Sequence, residues 1–258
     1  MWAVIGLLLL LALVIDVLLI LPSLGLDPKR NAIHAFHMWV GRTIVRINPF
    51  WRVRVLGNPA APEGTFVVCA NHQSNADIFC LSFVKRNRWR WLAKRSLLRI
   101  PVFGWIMQIG GHVPVERGER SSGEQALARC REWLARGVSV GFFPEGTRSE
   151  TDQVKEFKMG AFKLAVDAQV PILPIALTGT RSALPKHGWV MRERADVRIR
   201  VLEPIPPGND AEALRDRVRS AIVSAKALLD QKTGTGSVPA TPQSDSTFSP
   251  TDPSRSPR

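Results

Sequence analysis

Hydrophobic and polar positions change period repeatedly along the chain, and each change marks an element. From Met1 to Leu21 the residues are almost all Leu, Ile, Val and Ala, broken by Asp16 and closed by Pro22. About twenty apolar residues match the hydrocarbon thickness of a bilayer. No basic stretch precedes Leu7 and no small-x-small site follows Leu21, so a retained anchor is expected rather than a cleaved leader. Asp16 is costly at bilayer depth. Two forms are therefore open: a single span, or a helix that enters one leaflet and returns through the turn between Pro22 and Pro28. In the second form Ala32 to Ile47 is the other arm of a helical hairpin. Its Ile33, Phe36, Trp39, Val40, Ile44 and Ile47, set against His34, His37, Arg42 and Arg46, suit an interfacial helix. Lys29, Arg30, Arg42 and Arg46 place the remainder on the cytoplasmic side if the segment spans.

Beyond the anchor the period alternates between two and 3.6. Trp51–Leu56, the apolar run ending at Ala70, Arg90–Ala93, His112–Val115, Val138–Phe143, Ile172–Leu177 and Asp196–Leu202 predict strands. Between them Pro101–Ile109 and Glu156–Ala168 predict helices. Ser122 with Gln125 predicts a capping box for a helix ending at Gly137. Leu214, Val218, Ile222, Ala225 and Leu229 lie on one face of a final helix. No internal repeat is evident. The expected fold is α/β, a mixed central sheet flanked by helices and preceded by a hydrophobic anchor helix or helical hairpin. The expected divisions are an anchor over 1–48, a catalytic domain over 49–230 and, from its Thr, Gly, Ser, Pro and Gln content, a disordered tail over 231–258.

Charge changes the picture. The 258-residue chain carries a formal +13, most of it in the folded body, which calls for an acidic partner: nucleic acid, anionic headgroups or a phosphorylated substrate. Between Lys85 and Arg99 there are seven basic residues and no acidic one, with Trp89 and Trp91 interleaved. A nucleic-acid groove fits basic plus aromatic residues, but with a hydrophobic N-terminus the pattern favours a membrane surface over nucleic acid. The three cysteines, Cys69, Cys80 and Cys130, have neither the spacing nor the density of a disulfide framework or zinc site. Cys69 lies inside an apolar strand, where a thiol is ordinarily inert packing.

The first candidate chemistry is at Asn71-His72-Gln73-Ser74-Asn75-Ala76-Asp77, where an apolar strand stops abruptly. Residues five apart lie about 140° from each other around a helix, so His72 and Asp77 meet only if His72 sits in a turn and Asp77 opens a helix. A carboxylate on one imidazole nitrogen fixes the tautomer and leaves the other nitrogen as a general base. A surface loop capping a helix would use the same residue types. The second stretch, Phe143-Pro144-Glu145-Gly146-Thr147-Arg148-Ser149, also follows a buried strand and turns at a Pro and a Gly. Arg148 offers a planar fork for phosphate, and Glu145 an acceptor for a substrate hydroxyl. Lys94 and Arg117 add cations at the ends of two further strands.

Together these segments resemble the glycerolipid acyltransferases, and specifically the 1-acylglycerol-3-phosphate acyltransferases. Asn71 to Asp77 is similar to their His-x4-Asp motif and Phe143 to Ser149 to their Phe-Pro-Glu-Gly-Thr-Arg-Ser motif, in the same order. Val113-Pro114-Val115-Glu116-Arg117 resembles a block that usually ends Asp-Arg, and Val170 to Ile175 a proline-containing fourth block. Ala93-Lys94 through Gly104 resembles the segment linking the first two motifs. The likeness covers roughly residues 50 to 205. It implies transfer of a fatty acyl group from acyl-CoA or acyl carrier protein to the free hydroxyl of a lysophospholipid, most typically lysophosphatidate. No metal, cofactor or acyl-enzyme is implied. By this resemblance His72 and Asp77 are catalytic, while Arg117, Glu145, Gly146, Thr147, Arg148 and Lys94 bind the acceptor. A different acceptor such as a lyso-ornithine lipid, and a basic membrane-tethered binding module without catalysis, are the alternative readings.

Overall fold

The structure, a computed structural model, describes residues 2–58, 60–86, 88–184 and 194–231, without the side chains of 19–25. The tail predicted to be disordered lies outside the described residues apart from Gln231. In chain order the elements are α1 (Trp2–Leu26), α2 (Asn31–Arg46), β1 (Trp51–Leu56), β2 (Val67–Ala70), α3 (Asp77–Leu81), β3 (Trp89–Lys94), α4 (Phe103–Ile109) and β4 (Val113–Val115). They continue with α5 (Arg120–Ala135), β5 (Ser139–Phe142), α6 (Gly160–Ala168), β6 (Ile172–Thr178), α7 (Thr180–Ala183), β7 (Ala195–Val201) and α8 (Ala211–Gln231). A 3-10 turn at Arg95–Arg99 joins β3 to α4.

Seven strands form one sheet in the order β1-β7-β6-β2-β5-β3-β4. Every neighbouring pair is parallel except β6 with β7, as the mixed-sheet expectation requires. Strands covered on both faces carry no polar alternation. Accordingly Val67–Ala70, Ser139–Phe142 and Ile172–Thr178 are buried at every position, whereas Trp51–Leu56 on the sheet edge has its arginines exposed. Two apolar clusters result. One, under α2 and α3, includes Ile44, Val68, Leu81, Trp91 and Ile175; the other, under α5, α6 and α8, includes Val140, Phe162, Leu214 and Ile222. Each such Leu, Ile or Val stabilises the fold by about 1.5–3 kcal/mol.

The N-terminal segment folds as two helices packed against each other. α1 packs against α2 and α4, and Ile5, Ala12, Val40 and Ile44 belong to the same cluster as the sheet. Asp16 is fully buried, its Oδ2 2.7 Å from His37 Nε2, which explains a carboxylate in an otherwise apolar helix. Among the described residues no helix is long and apolar enough to cross a membrane. The hairpin turn is tied down at two points. Arg90, buried near the start of β3, donates from Nη2 to the Lys29 and Arg30 carbonyls. Arg30 in turn donates to the carbonyls of Gln108 and Ile109 at the end of α4. Burial and the nearby Arg30 lower the Arg90 guanidinium to about 10, still protonated at neutral pH.

Two expectations are corrected. α5 begins two residues before Ser122, so no capping box forms; the Ser122 hydroxyl instead accepts from the Glu116 amide and ties down the end of β4. α6 begins at Gly160 rather than Glu156, because the Lys155 and Lys158 amides bond to Glu145 and to the Pro144 carbonyl. A backbone engaged in that turn cannot also start a helix.

Candidate active site

Sheet order explains why distant motifs converge. β2 and β5 are parallel neighbours, with β3 beside β5 and β4 at the edge. The segments after all four strands therefore emerge at one carboxyl edge, where open α/β sheets bind ligands. His72 follows β2, the Glu145 turn follows β5, Lys94 ends β3 and Arg117 follows β4.

The chain leaves helix and strand geometry between Asn71 and Ser74, and Asp77 opens α3, as the five-residue spacing required. Asp77 Oδ2 accepts three hydrogen bonds: from His72 Nδ1 at 2.7 Å, the Gln73 amide at 2.8 Å and the Ser74 amide at 3.0 Å. One oxygen thus holds both the imidazole and the turn that carries it. With Nδ1–H donating to the Asp77 carboxylate, His72 Nε2 is left with its lone pair. Asn71 clamps the turn to β6, exchanging two bonds of 2.9 Å with the Leu177 backbone.

Glu145 stands differently from the expectation of a substrate acceptor. It is 5% exposed, and its oxygens accept from the His72 amide at 2.7 Å and the Lys155 amide at 3.1 Å. The carboxylate is a strut between the two motif turns. Burial pushes its pKa up, partly offset by the two amide bonds. The Ser149 amide adds a second tie by donating to the His72 carbonyl at 2.8 Å.

Two aromatic rings continue from the imidazole. Phe143 stacks on His72 with centroids 4.0 Å apart, and Trp91 stacks on Phe143 at 4.5 Å. Trp91 walls an apolar cavity shared with Ile44, Ile78, Phe79 and Met107; Ile78 and Phe79 directly follow Asp77. Phe143 walls a second cavity of about 250 Å³, shared with Arg117, Gly146 and Lys158. Loss of solvent and the nearby Arg148 hold the Arg117 guanidinium below its ordinary value; Glu116 and Glu119 line the same cavity. Gly146 has φ +73°, and a Cβ there would lie 2.8 Å from the Lys158 chain, so both turn and cavity need glycine.

Of the predicted binding residues, Arg117 and Gly146 line the second cavity, and Arg148 lies close enough to Arg117 to lower its pKa. Thr147 is exposed and faces Lys155, at 3.4 Å from Oγ1 to Nζ. Lys94 is exposed at the end of β3 and does not line the cavity. Lys158 does, and sequence reasoning missed it. Its signal was a lone lysine in Glu156-Phe157-Lys158-Met159-Gly160, a segment assigned to a helix. Cys69 is fully buried in β2 and burial raises its pKa, which removes it as a nucleophile. Among the described residues no group of three or more His, Cys, Asp or Glu side chains is placed to hold a metal.

The site is thus a His–Asp pair at the carboxyl edge of a largely parallel sheet, joined through stacked rings to a mostly apolar cavity and to one lined by both charged and apolar residues. The sequence profile of the acyltransferase family matches residues 52–178. A 1-acyl-sn-glycerol-3-phosphate acyltransferase of Salmonella typhimurium is 31% identical over 74% of this chain and 78% of its own. One from Chlamydomonas reinhardtii is 39% identical over 69% of this chain. The chain spans little more than half the length of the algal relative and of its chloroplastic counterpart from Brassica napus. The crystal structure of the 1-acyl-sn-glycerophosphate acyltransferase PlsC from Thermotoga maritima superposes with a TM-score of 0.67, at 29% identity, covering 89% of this chain and 98% of that one. The chain belongs to the acyltransferase family.

Proposed function

We propose that this chain transfers a fatty acyl group from a thioester donor, acyl-CoA or acyl carrier protein, to the free hydroxyl of 1-acyl-sn-glycerol 3-phosphate, giving phosphatidate. The observation that carries the reading is the position of His72. Its ring is bonded to Asp77 and joined through Phe143 and Trp91 to one cavity that suits hydrocarbon and another that suits phosphate. Relatives named for this reaction cover most of the chain.

In this reaction His72 Nε2 takes the proton of the acceptor hydroxyl as its oxygen bonds to the thioester carbonyl carbon. Asp77 stabilises the imidazolium so formed. The tetrahedral intermediate collapses with cleavage of the carbon–sulfur bond, and the thiolate leaves with the proton held by His72. Phe143 covers one face of the ring that becomes cationic, an arrangement worth about 0.5–2 kcal/mol to the imidazolium. Arg117, Arg148 and Lys158 supply the charge that holds the acceptor phosphate. The step draws on no metal and no cofactor.

The hairpin serves this chemistry by resting on lipid. Trp2, Leu7, Leu18, Trp39, Ile100 and Trp105 are exposed on α1, α2 and the segment at α4, an unusual number of large apolar side chains in solvent. The test is transfer of a radiolabelled acyl group to lysophosphatidate by the purified protein, with His72→Ala as the inactive control and circular dichroism as the check on its fold. A panel of lysolipids, lyso-ornithine lipid among them, fixes the headgroup. Transfer to none of them overturns the reading.

A further inference from the structure

The apolar cavity contains two imidazoles that the proposed reaction does not use. His37 and His112 both line it, alongside Ile78, Phe79 and Met107. The Trp91 amide donates to His112 Nδ1 at 3.0 Å, so that nitrogen carries the lone pair. Burial, with His37 and Arg90 nearby, lowers the His112 pKa to about 3, so the ring is neutral and its one proton sits on Nε2. The bond from the Trp91 amide is the one the ring makes among the described residues, and it leaves that Nε2–H free. His37 gives Nε2 to Asp16 Oδ2 at 2.7 Å, which leaves its Nδ1 without a hydrogen-bond partner as well. Of the other polar side chains in the lining, Ser82 has its hydroxyl committed to the Phe79 carbonyl at 2.6 Å, while the Trp91 indole N–H is buried without a partner among the described residues.

An N–H donor facing a purely apolar occupant loses the bond it makes to water. A hydroxyl restores that bond, since it accepts from one ring nitrogen while donating to another. We propose that His112 and His37 form a recognition point for an oxygen substituent on the transferred acyl chain, so that the enzyme selects hydroxylated over plain fatty acyl donors. The inference rests on the acyl-transfer reading. The donor chain is taken as the occupant because Arg117 and Lys158 in the cavity beyond Phe143 are assigned to the acceptor phosphate, and the donor carbonyl must meet the acceptor hydroxyl at His72.

The experiment uses the full-length protein in detergent–lipid micelles. Its donors are acyl thioesters of one chain length, either plain or bearing a single hydroxyl moved carbon by carbon along the chain. The wild type is expected to show a sharp optimum at one depth, with kcat/KM roughly fivefold to tenfold above the plain chain, the worth of one net hydrogen bond. His112→Phe is expected to abolish the optimum and bring the ratio to one or below. A flat scan in the wild type, or an optimum that survives in both His112→Phe and His37→Leu, overturns the proposal and leaves these nitrogens to a trapped water. Plain chains are still transferred in that case, whereas failure to transfer any chain strikes the acyl-transfer reading instead. The scan is read on the wild type, so poor folding of either variant does not remove the test.

Discussion

Replacing Glu145 with Gln separates a strut from a substrate ligand. The carboxylate accepts the His72 amide at 2.7 Å and the Lys155 amide at 3.1 Å. A carboxamide can accept only one of them and turns an NH2 group towards the other. One buried amide is then orphaned, at a cost of about 1–3 kcal/mol in stability. The effect on rate is larger, because the orphaned group sits on the residue that supplies the base. A shift of about 1 Å in such a group lowers kcat by about 10²-fold. The KM for the lysolipid should change little, since Glu145 is buried and does not itself line the cavity that holds Arg117 and Lys158. Steady-state kinetics with varied acceptor, together with thermal unfolding, provide the assay. The pH dependence carries a sign. The Glu145 pKa is raised by burial, so its contribution to stability is fullest below the ordinary carboxylate value near pH 4 and declines as pH rises through the raised folded value. Gln does not titrate, so the stability gap between wild type and variant should be widest in acid and narrow towards neutral pH. A variant with unchanged kcat and a raised acceptor KM would show that Glu145 touches the lysolipid and that the strut is wrong.

Other substitutions probe the remaining parts. Asp77→Asn should lower kcat by about 10²- to 10⁴-fold with a folded circular dichroism spectrum, because one oxygen sets both the tautomer and the turn. Lys158→Ala should raise the acceptor KM about tenfold and flatten its dependence on salt, with a smaller effect on kcat; an unchanged KM would remove Lys158 from phosphate binding. His37→Leu alone leaves the Asp16 carboxylate buried and unpaired and should destabilise the protein by about 3–5 kcal/mol, whereas Asp16→Leu with His37→Leu should restore most of that loss in thermal denaturation.

The fold was legible wherever burial imposes a clean period. Ile172–Leu177 is apolar throughout because helices cover both faces of β6, and α8 shows its stripe because only one of its faces is covered. The His72–Asp77 contact was legible for a steric reason, since that spacing forbids a helix and demands a turn. What was hidden depends on partners distant in sequence. Glu145 looks like a substrate ligand until the adjacency of β2 and β5 brings the His72 amide onto it. Lys158 reads as a helix residue until Pro144 claims its amide, and Ser122 as a cap until Glu116 uses its hydroxyl. Asp16 posed a question that periodicity alone could not answer; its partner, His37, lies on the next helix, twenty-one residues away.

The double fastening of the hairpin turn, Arg90 from within the sheet and Arg30 onto the end of α4, governs how the molecule meets its surroundings. A float joined to its hull by a hinge would let the catalytic edge swing freely. Riveted in this way, any displacement of the two N-terminal helices is passed on to the sheet and to the end of α4.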